Sequence, residues 1–204
     1  MSSVLLINGS PHKEGNTFAA LSEVARRLGE QGVGAEIAWI GTKPVRGCIA
    51  CGTCSQTGSG RCVFDDDVCN VMIDRMNAAD GLVVGSPTYY GVPTGSLISL
   101  IQRMCYSGAR MQNKPAAAVA VCRRGGATAA FQTLQMPFQM MNMPIVTSQY
   151  WNIVYGLRPG EASLDAEGLQ TMRTLADNMA WMLKSLASQP APVREPWIPT
   201  HFIK

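Results

Sequence analysis

Val4-Leu5-Leu6-Ile7-Asn8-Gly9-Ser10-Pro11-His12-Lys13-Glu14-Gly15-Asn16-Thr17 is an all-apolar run that breaks into a polar, glycine-bearing turn. Four consecutive apolar residues suit a strand covered on both faces, as in a parallel sheet, and Asn8-Gly9-Ser10-Pro11 closes it. From Thr17 to Leu28 the apolar positions 18, 21, 24, 25 and 28 predict a helix, ended by the stretch Gly29 to Gly34. A turn between strand and helix leaves backbone N–H groups and the positive end of the helix dipole facing outward, which favours an anion. Ser10, Asn16 and Thr17 add short polar donors. The G-x-G-x-x-G dinucleotide pattern is absent and no Gly-Lys-Ser/Thr closes the loop, so a monophosphate suits it best. The competing reading is an ordinary polar turn in which Thr17 caps the helix.

The same alternation continues along the chain. Strands are predicted at Ala35 to Ile40, Gly81 to Gly85, Ala116 to Cys122 and Ile145 to Ser148. Helices are predicted over Val68 to Ala78, Thr94 to Met104, Ala127 to Met141 and Glu167 to Leu186, with Asp65 to Asp67 as the cap and solvated face opening the first of these. Five strands alternating with five helices indicate an α/β, doubly wound parallel sheet in one domain over residues 1–188, with residues 189–204 an extended C-terminal arm. Trp197 and Phe202 give that arm large apolar side chains to pack on this subunit or a neighbour.

In such a sheet, ligands sit beyond the carboxyl ends of the strands. Ser86-Pro87-Thr88-Tyr89-Tyr90-Gly91 follows the third strand with a Pro-fixed turn, two rings and a glycine, and Arg123-Arg124-Gly125-Gly126 follows the fourth with cations and amides. Three such ends together point to a ligand with a phosphate at one end and a planar ring at the other. The net charge of +3 is spread over the chain, with Arg26-Arg27 and Arg123-Arg124 the only adjacent basic pairs, which argues against a nucleic-acid-binding face. No apolar stretch reaches membrane length and Val4 to Ile7 is too short for a signal core, so a cytoplasmic protein is expected.

Four of the seven cysteines, Cys48, Cys51, Cys54 and Cys62, fall in a loop spanning residues 46–64. In a reducing compartment such clustering points to metal or redox chemistry instead of a disulfide framework. Two residues between successive thiols suits zinc and iron–sulfur sites alike, and loose redox thiols are a third possibility. The bacterial ferredoxin run, with its close fourth cysteine followed by proline, does not occur. Cys69, Cys105 and Cys122 stand alone on apolar elements and read as small core residues. Met136, Met140, Met141 and Met143 read as core or subunit packing, Tyr150-Trp151 as core or a ring cover, and His201 as exposed.

Gly9-Ser10-Pro11, Gly15-Asn16-Thr17, the compact cysteine motif, Asp65-Asp66-Asp67, Ala79-Asp80-Gly81, Ser86-Pro87-Thr88-Tyr89 and Arg124-Gly125-Gly126 together resemble the flavodoxin-like NAD(P)H-dependent FMN reductases, and within them the iron–sulfur flavoproteins. The resemblance implies sheet order 2-1-3-4-5 and non-covalent FMN. It places Ser10, His12, Asn16 and Thr17 at the phosphate, Pro87, Thr88, Tyr89, Tyr90 and Gly91 against the isoalloxazine, and Arg124, Gly125 and Gly126 along its far edge. It makes Cys48, Cys51, Cys54 and Cys62 ligands of a 4Fe-4S cluster. His12 stands where relatives often carry Arg, so phosphate affinity is expected to vary with pH. The implied activity is an FMN-dependent oxidoreductase using NAD(P)H or a ferredoxin-like donor and a quinone-like or other small acceptor, in a homodimer or homotetramer. An electron carrier without its own substrate and a zinc-stabilised binding module are the alternatives.

Overall fold

The computed structural model describes residues 2–196, 198 and 200. Five strands form one parallel sheet: β1 (Ser3–Asn8), β2 (Gly34–Trp39), β3 (Gly81–Pro87), β4 (Ala116–Cys122) and β5 (Ile153–Tyr155), in the order β2-β1-β3-β4-β5. The helices are α1 (Asn16–Glu30), α2 (Thr53–Thr57), α3 (Cys69–Ala78), α4 (Gly95–Ser107), α5 (Ala127–Met140) and α6 (Ala166–Ala187). This is the flavodoxin-like arrangement, and the order reverses direction between β1 and β3.

Period-two alternation divides the buried side chains between the two faces. Leu5, Ile7, Leu82, Val84, Ala118 and Ala120 pack with α3, α4 and α5, while Val4, Leu6, Val83, Ala117 and Val119 pack with α1 and α6. Every residue of β4 is buried, as the continuous apolar run requires of a strand covered on both sides. Gly9 and Gly85 let the layers approach: a Cβ on Gly9 would lie 2.6 Å from Leu97 Cδ2, and one on Gly85 would lie 2.9 Å from Leu21 Cδ1.

Two expectations are corrected. The fifth strand is not 145–148: Ile145 makes only a bridge to Ala116, and the paired ladder is Ile153–Tyr155 against Ala120–Cys122. The intervening chain swings outward, and buried Asn152 closes the gap by donating its Nδ2 to the Ala118 carbonyl at 3.1 Å while its own backbone carbonyl accepts from Ala120 N at 3.0 Å. The Asp65 to Asp67 run is not simply a cap with a solvated face. Asp67 does accept from Cys69 N at 3.0 Å, but its carboxylate is buried against Arg103, whose side chain is only 1% exposed.

Residues 189–196 carry no regular secondary structure and are exposed, whereas Trp197, His201 and Phe202 lie outside the described residues. Among the described residues no helix is long and apolar enough to cross a membrane.

Candidate functional site

The loop after β1 is shaped from within. Buried Asn8 accepts from Ser10 N at 3.0 Å and donates to the Lys13 carbonyl at 3.0 Å, while Gly9 N reaches Gly85 O at 2.8 Å and Gly9 O accepts from Thr94 Oγ1 at 2.8 Å. Ser10 Oγ accepts from His12 N at 3.1 Å, and Ser10 O accepts from Trp39 Nε1 at 2.8 Å. Helix α1 then begins at Asn16 behind Gly15, with no side chain capping it. Its first amides have no carbonyl a turn earlier to bond, so they are left for an external partner.

That helix end opens on a cavity of about 630 Å³ at the carboxyl ends of β1, β3 and β4. Ser10, His12, Asn16, Thr17, Pro87, Thr88 and Tyr89 line it, so the structure brings together seven of the residues expected around one ligand. Tyr90, Gly91, Arg124, Gly125 and Gly126 do not line it. Tyr90 is fully exposed, and a Cβ on Gly126, at φ +83°, would meet Gly91 Cα at 3.0 Å and Thr88 Cγ2 at 3.4 Å, so the two turns close on each other beside the cavity. The Asn16 side chain is engaged elsewhere: Nδ2 donates to Arg158 O at 3.0 Å and Oδ1 accepts from Ala162 N at 3.1 Å. Its backbone amide and the second Nδ2 hydrogen are left for an anion. Thr88 Oγ1 is buried without a hydrogen-bond partner in the wall of this cavity. An uncapped helix end at one part and an unpaired buried hydroxyl at another fit a ligand with an anionic end and a polar-edged body.

The cysteine loop forms a second cavity, of about 420 Å³, lined by Cys48, Cys51, Cys54 and Cys62 together with Arg103, Cys105 and Tyr106. Ala50, at φ +52°, and Gly52, at φ +73°, turn the chain so that its thiols face this space. Cys48 Sγ accepts from Ala50 N at 3.4 Å, Cys54 Sγ donates to Tyr106 O at 3.2 Å, and Cys62 Sγ accepts from Arg103 Nε at 3.3 Å. Among the described residues no three His, Cys, Asp or Glu side chains stand close enough to hold a single ion. The four cysteines line one space, and a donor set of four thiols fits zinc or an iron–sulfur group alike. The hydroxyl of Thr53 and its amide pull the Cys51 thiol below its ordinary pKa. Burial pushes Cys69 up to about 12 and Cys105 up to about 11, which keeps both as thiols.

Residues 2–157 match the family described as NADPH-dependent FMN reductase. The chain belongs to that family. Within it, an iron–sulfur flavoprotein of Methanocaldococcus jannaschii is 33% identical over 89% of this chain and 97% of its own length. Among solved structures, RosB with a bound 8-demethyl-8-formylriboflavin-5'-phosphate intermediate superposes with a TM-score of 0.71 at 13% identity, covering 94% of this chain and 82% of that one. A flavodoxin from the domain Archaea does so with a TM-score of 0.60 at 16% identity, covering 89% and 99%. These last two likenesses are of fold.

In this FMN reductase chain several site residues escaped the sequence reading. Trp39 reaches the first cavity from the end of β2, and Cys122, Gly156 and Leu157 also line it, next to Arg123, which the sequence had offered as a cation. Trp39 stands next to last in the predicted strand, at the edge where the loops gather, a signal that could have found it. Arg103 and Asn70 lie inside helical patterns, and nothing local marks them. Tyr150 and Trp151 belong neither to the core nor to the first cavity: both are exposed and lean on each other, with ring centroids 5.2 Å apart. Met136 and Met140 are exposed while Met143 is buried.

Proposed function

We propose that this oxidoreductase holds FMN in the cavity at the carboxyl ends of β1, β3 and β4, and an iron–sulfur cluster among Cys48, Cys51, Cys54 and Cys62. Reducing equivalents enter from NAD(P)H or a ferredoxin-like donor and leave to a quinone-like or other small acceptor. The reading is carried by the uncapped start of α1, which faces the same cavity as the unpaired Thr88 hydroxyl.

The amides of Asn16 and Thr17, the Ser10 hydroxyl and the His12 imidazole would hold the phosphate. Ser10 accepts from His12 N, so its own hydrogen remains to be donated. Pro87, Thr88 and Tyr89 would take one side of the ring system and Trp39 another, with Tyr90 and Gly91 at its rim and Arg124, Gly125 and Gly126 bordering its far edge. When bound, FMN supplies hydride or single-electron transfer. Thr88 Oγ1 would gain the partner it lacks, and Pro87, Val121 and Leu157 would give the ring apolar contacts. No side chain of this chain is assigned as a general acid or base.

The exposed Tyr150-Trp151 pair and the exposed Met136 and Met140 supply apolar surface for a homodimer or homotetramer. The test is rapid mixing of anaerobically purified, FMN-loaded protein with NADPH or NADH, followed at the flavin absorbance, with iron and sulfide analysed in parallel. The expected result is reduction by a nicotinamide and near-equimolar iron and sulfide. Reduction by ferredoxin alone would make the protein a carrier, zinc without iron would overturn the cluster, and failure to bind FMN would overturn the whole reading.

A further inference from the structure

Cys62 stands eight residues beyond Cys54, with a glycine-bearing loop of seven between them, yet it is anchored through its backbone and its sulfur alike. Buried Asn70 on α3 clamps its backbone from both sides: Oδ1 accepts from Cys62 N at 2.9 Å and Nδ2 donates to Cys62 O at 3.0 Å. Its sulfur is met by Arg103 from α4, a guanidinium buried to 1% exposure. That guanidinium spends its forked N–H groups on the Arg46 carbonyl at 3.3 Å, the Phe64 carbonyl at 3.3 Å and the Asp67 carboxylate, and its single Nε–H on Cys62 Sγ at 3.3 Å. Burying a cation among backbone carbonyls is costly unless each donor is used, and here one donor is used on a sulfur.

We infer that Arg103 is a positioning residue of the cysteine site: oriented by Asp67, it fixes Cys62 Sγ as a ligand and, through its N–H and charge, raises the reduction potential of the cluster. This rests on the reading of the four cysteines as cluster ligands. One-electron reduction adds a negative charge to a group that already carries four thiolates, and a hydrogen bond and a cation at one sulfur stabilise that reduced state more than the oxidised one. Asp67 sets how much of the cation is felt. A purely structural arginine, tying residues 46 and 64 to α4, would affect stability but leave the potential where it is.

The experiment compares wild type, Arg103→Lys and Asp67→Asn after anaerobic reconstitution with iron and sulfide, measuring iron and sulfide per chain and the cluster potential by a redox titration monitored by electron paramagnetic resonance. The Arg103→Lys variant keeps the charge but cannot offer the directed Nε–H. Its expected potential is lower by at least the ~59 mV that corresponds to a tenfold change in a one-electron equilibrium. Asp67→Asn keeps the N–H and removes the neutralising anion, so its potential is expected to rise. If Arg103→Lys fails to fold, Asp67→Asn decides alone. Potentials for the folded variants equal to wild type would overturn the role of Arg103 and leave the cluster standing. A wild-type protein that assembles no cluster would overturn the underlying reading and the role together.

Discussion

The Ser10 hydroxyl accepts the His12 amide at 3.1 Å and keeps its own hydrogen for another partner, at the mouth of an uncapped helix. A hydrogen bond to a charged group contributes about 1.5–3 kcal/mol, so Ser10→Ala should weaken FMN binding roughly 10- to 150-fold in an equilibrium titration while leaving the unfolding midpoint nearly unchanged. Gly9 behaves oppositely. A Cβ there would stand 2.6 Å from Leu97 Cδ2 and 3.0 Å from the Gly85 carbonyl, so Gly9→Ala should destabilise by about 1–3 kcal/mol in denaturant unfolding. At the residue level the sequence pointed to Ser10 and Thr17, and the structure places both on the first cavity beside the start of α1. The sequence does not supply a side chain's partner when that partner lies far along the chain. Asn16 lies on the first cavity as expected, but its side chain also binds the Arg158 carbonyl and the Ala162 amide, more than a hundred residues on. Asp67 looked solvated, yet its partner is Arg103.

At the scale of elements, hydrophobic periodicity located four of the five strands, because runs covered on both faces read directly as apolar stretches. Ile145 and Val146 are such a run too, but the chain leaves the sheet after them, and three residues at 153–155 re-enter it. Asn152 makes that re-entry possible, so Asn152→Ala should cost about 1–3 kcal/mol by leaving the buried Ala118 carbonyl without its donor, measurable by chemical denaturation. Helices α1 and α6 are joined by Glu23 to Arg173 at 2.7 Å and by Arg27 to Asp177 at 2.8 Å. The Arg26 hydrogen bond, working against burial and aided by Arg173, holds the Glu23 carboxyl down at about 2, from an ordinary 4.5. A carboxyl depressed on folding stabilises the protein above its unfolded value and loses that contribution as pH falls. The difference in thermal midpoint between wild type and Glu23→Gln should therefore be full above about pH 4.5 and shrink toward pH 2.

The whole molecule is a single sheet whose carboxyl edge gathers one cavity and whose β2–α3 connection builds another. The doubly wound order was legible because alternation of apolar runs with helical patterns admits few topologies. The clustering of the four cysteines was legible from spacing alone, whereas the scaffold that shapes their cavity was not, since α3 brings Asn70 and α4 brings Arg103 to Cys62 from 8 and 41 residues away. The central claim is that the first cavity takes FMN through the start of α1. Its most direct test is titration of flavin-free protein into FMN, followed by flavin fluorescence, with wild type beside Ser10→Asp. Wild type should bind saturably at one FMN per chain, and Ser10→Asp should abolish binding because the introduced carboxylate opposes the phosphate with like charge. Absence of saturable binding by the wild type, or equal binding by Ser10→Asp, would contradict it.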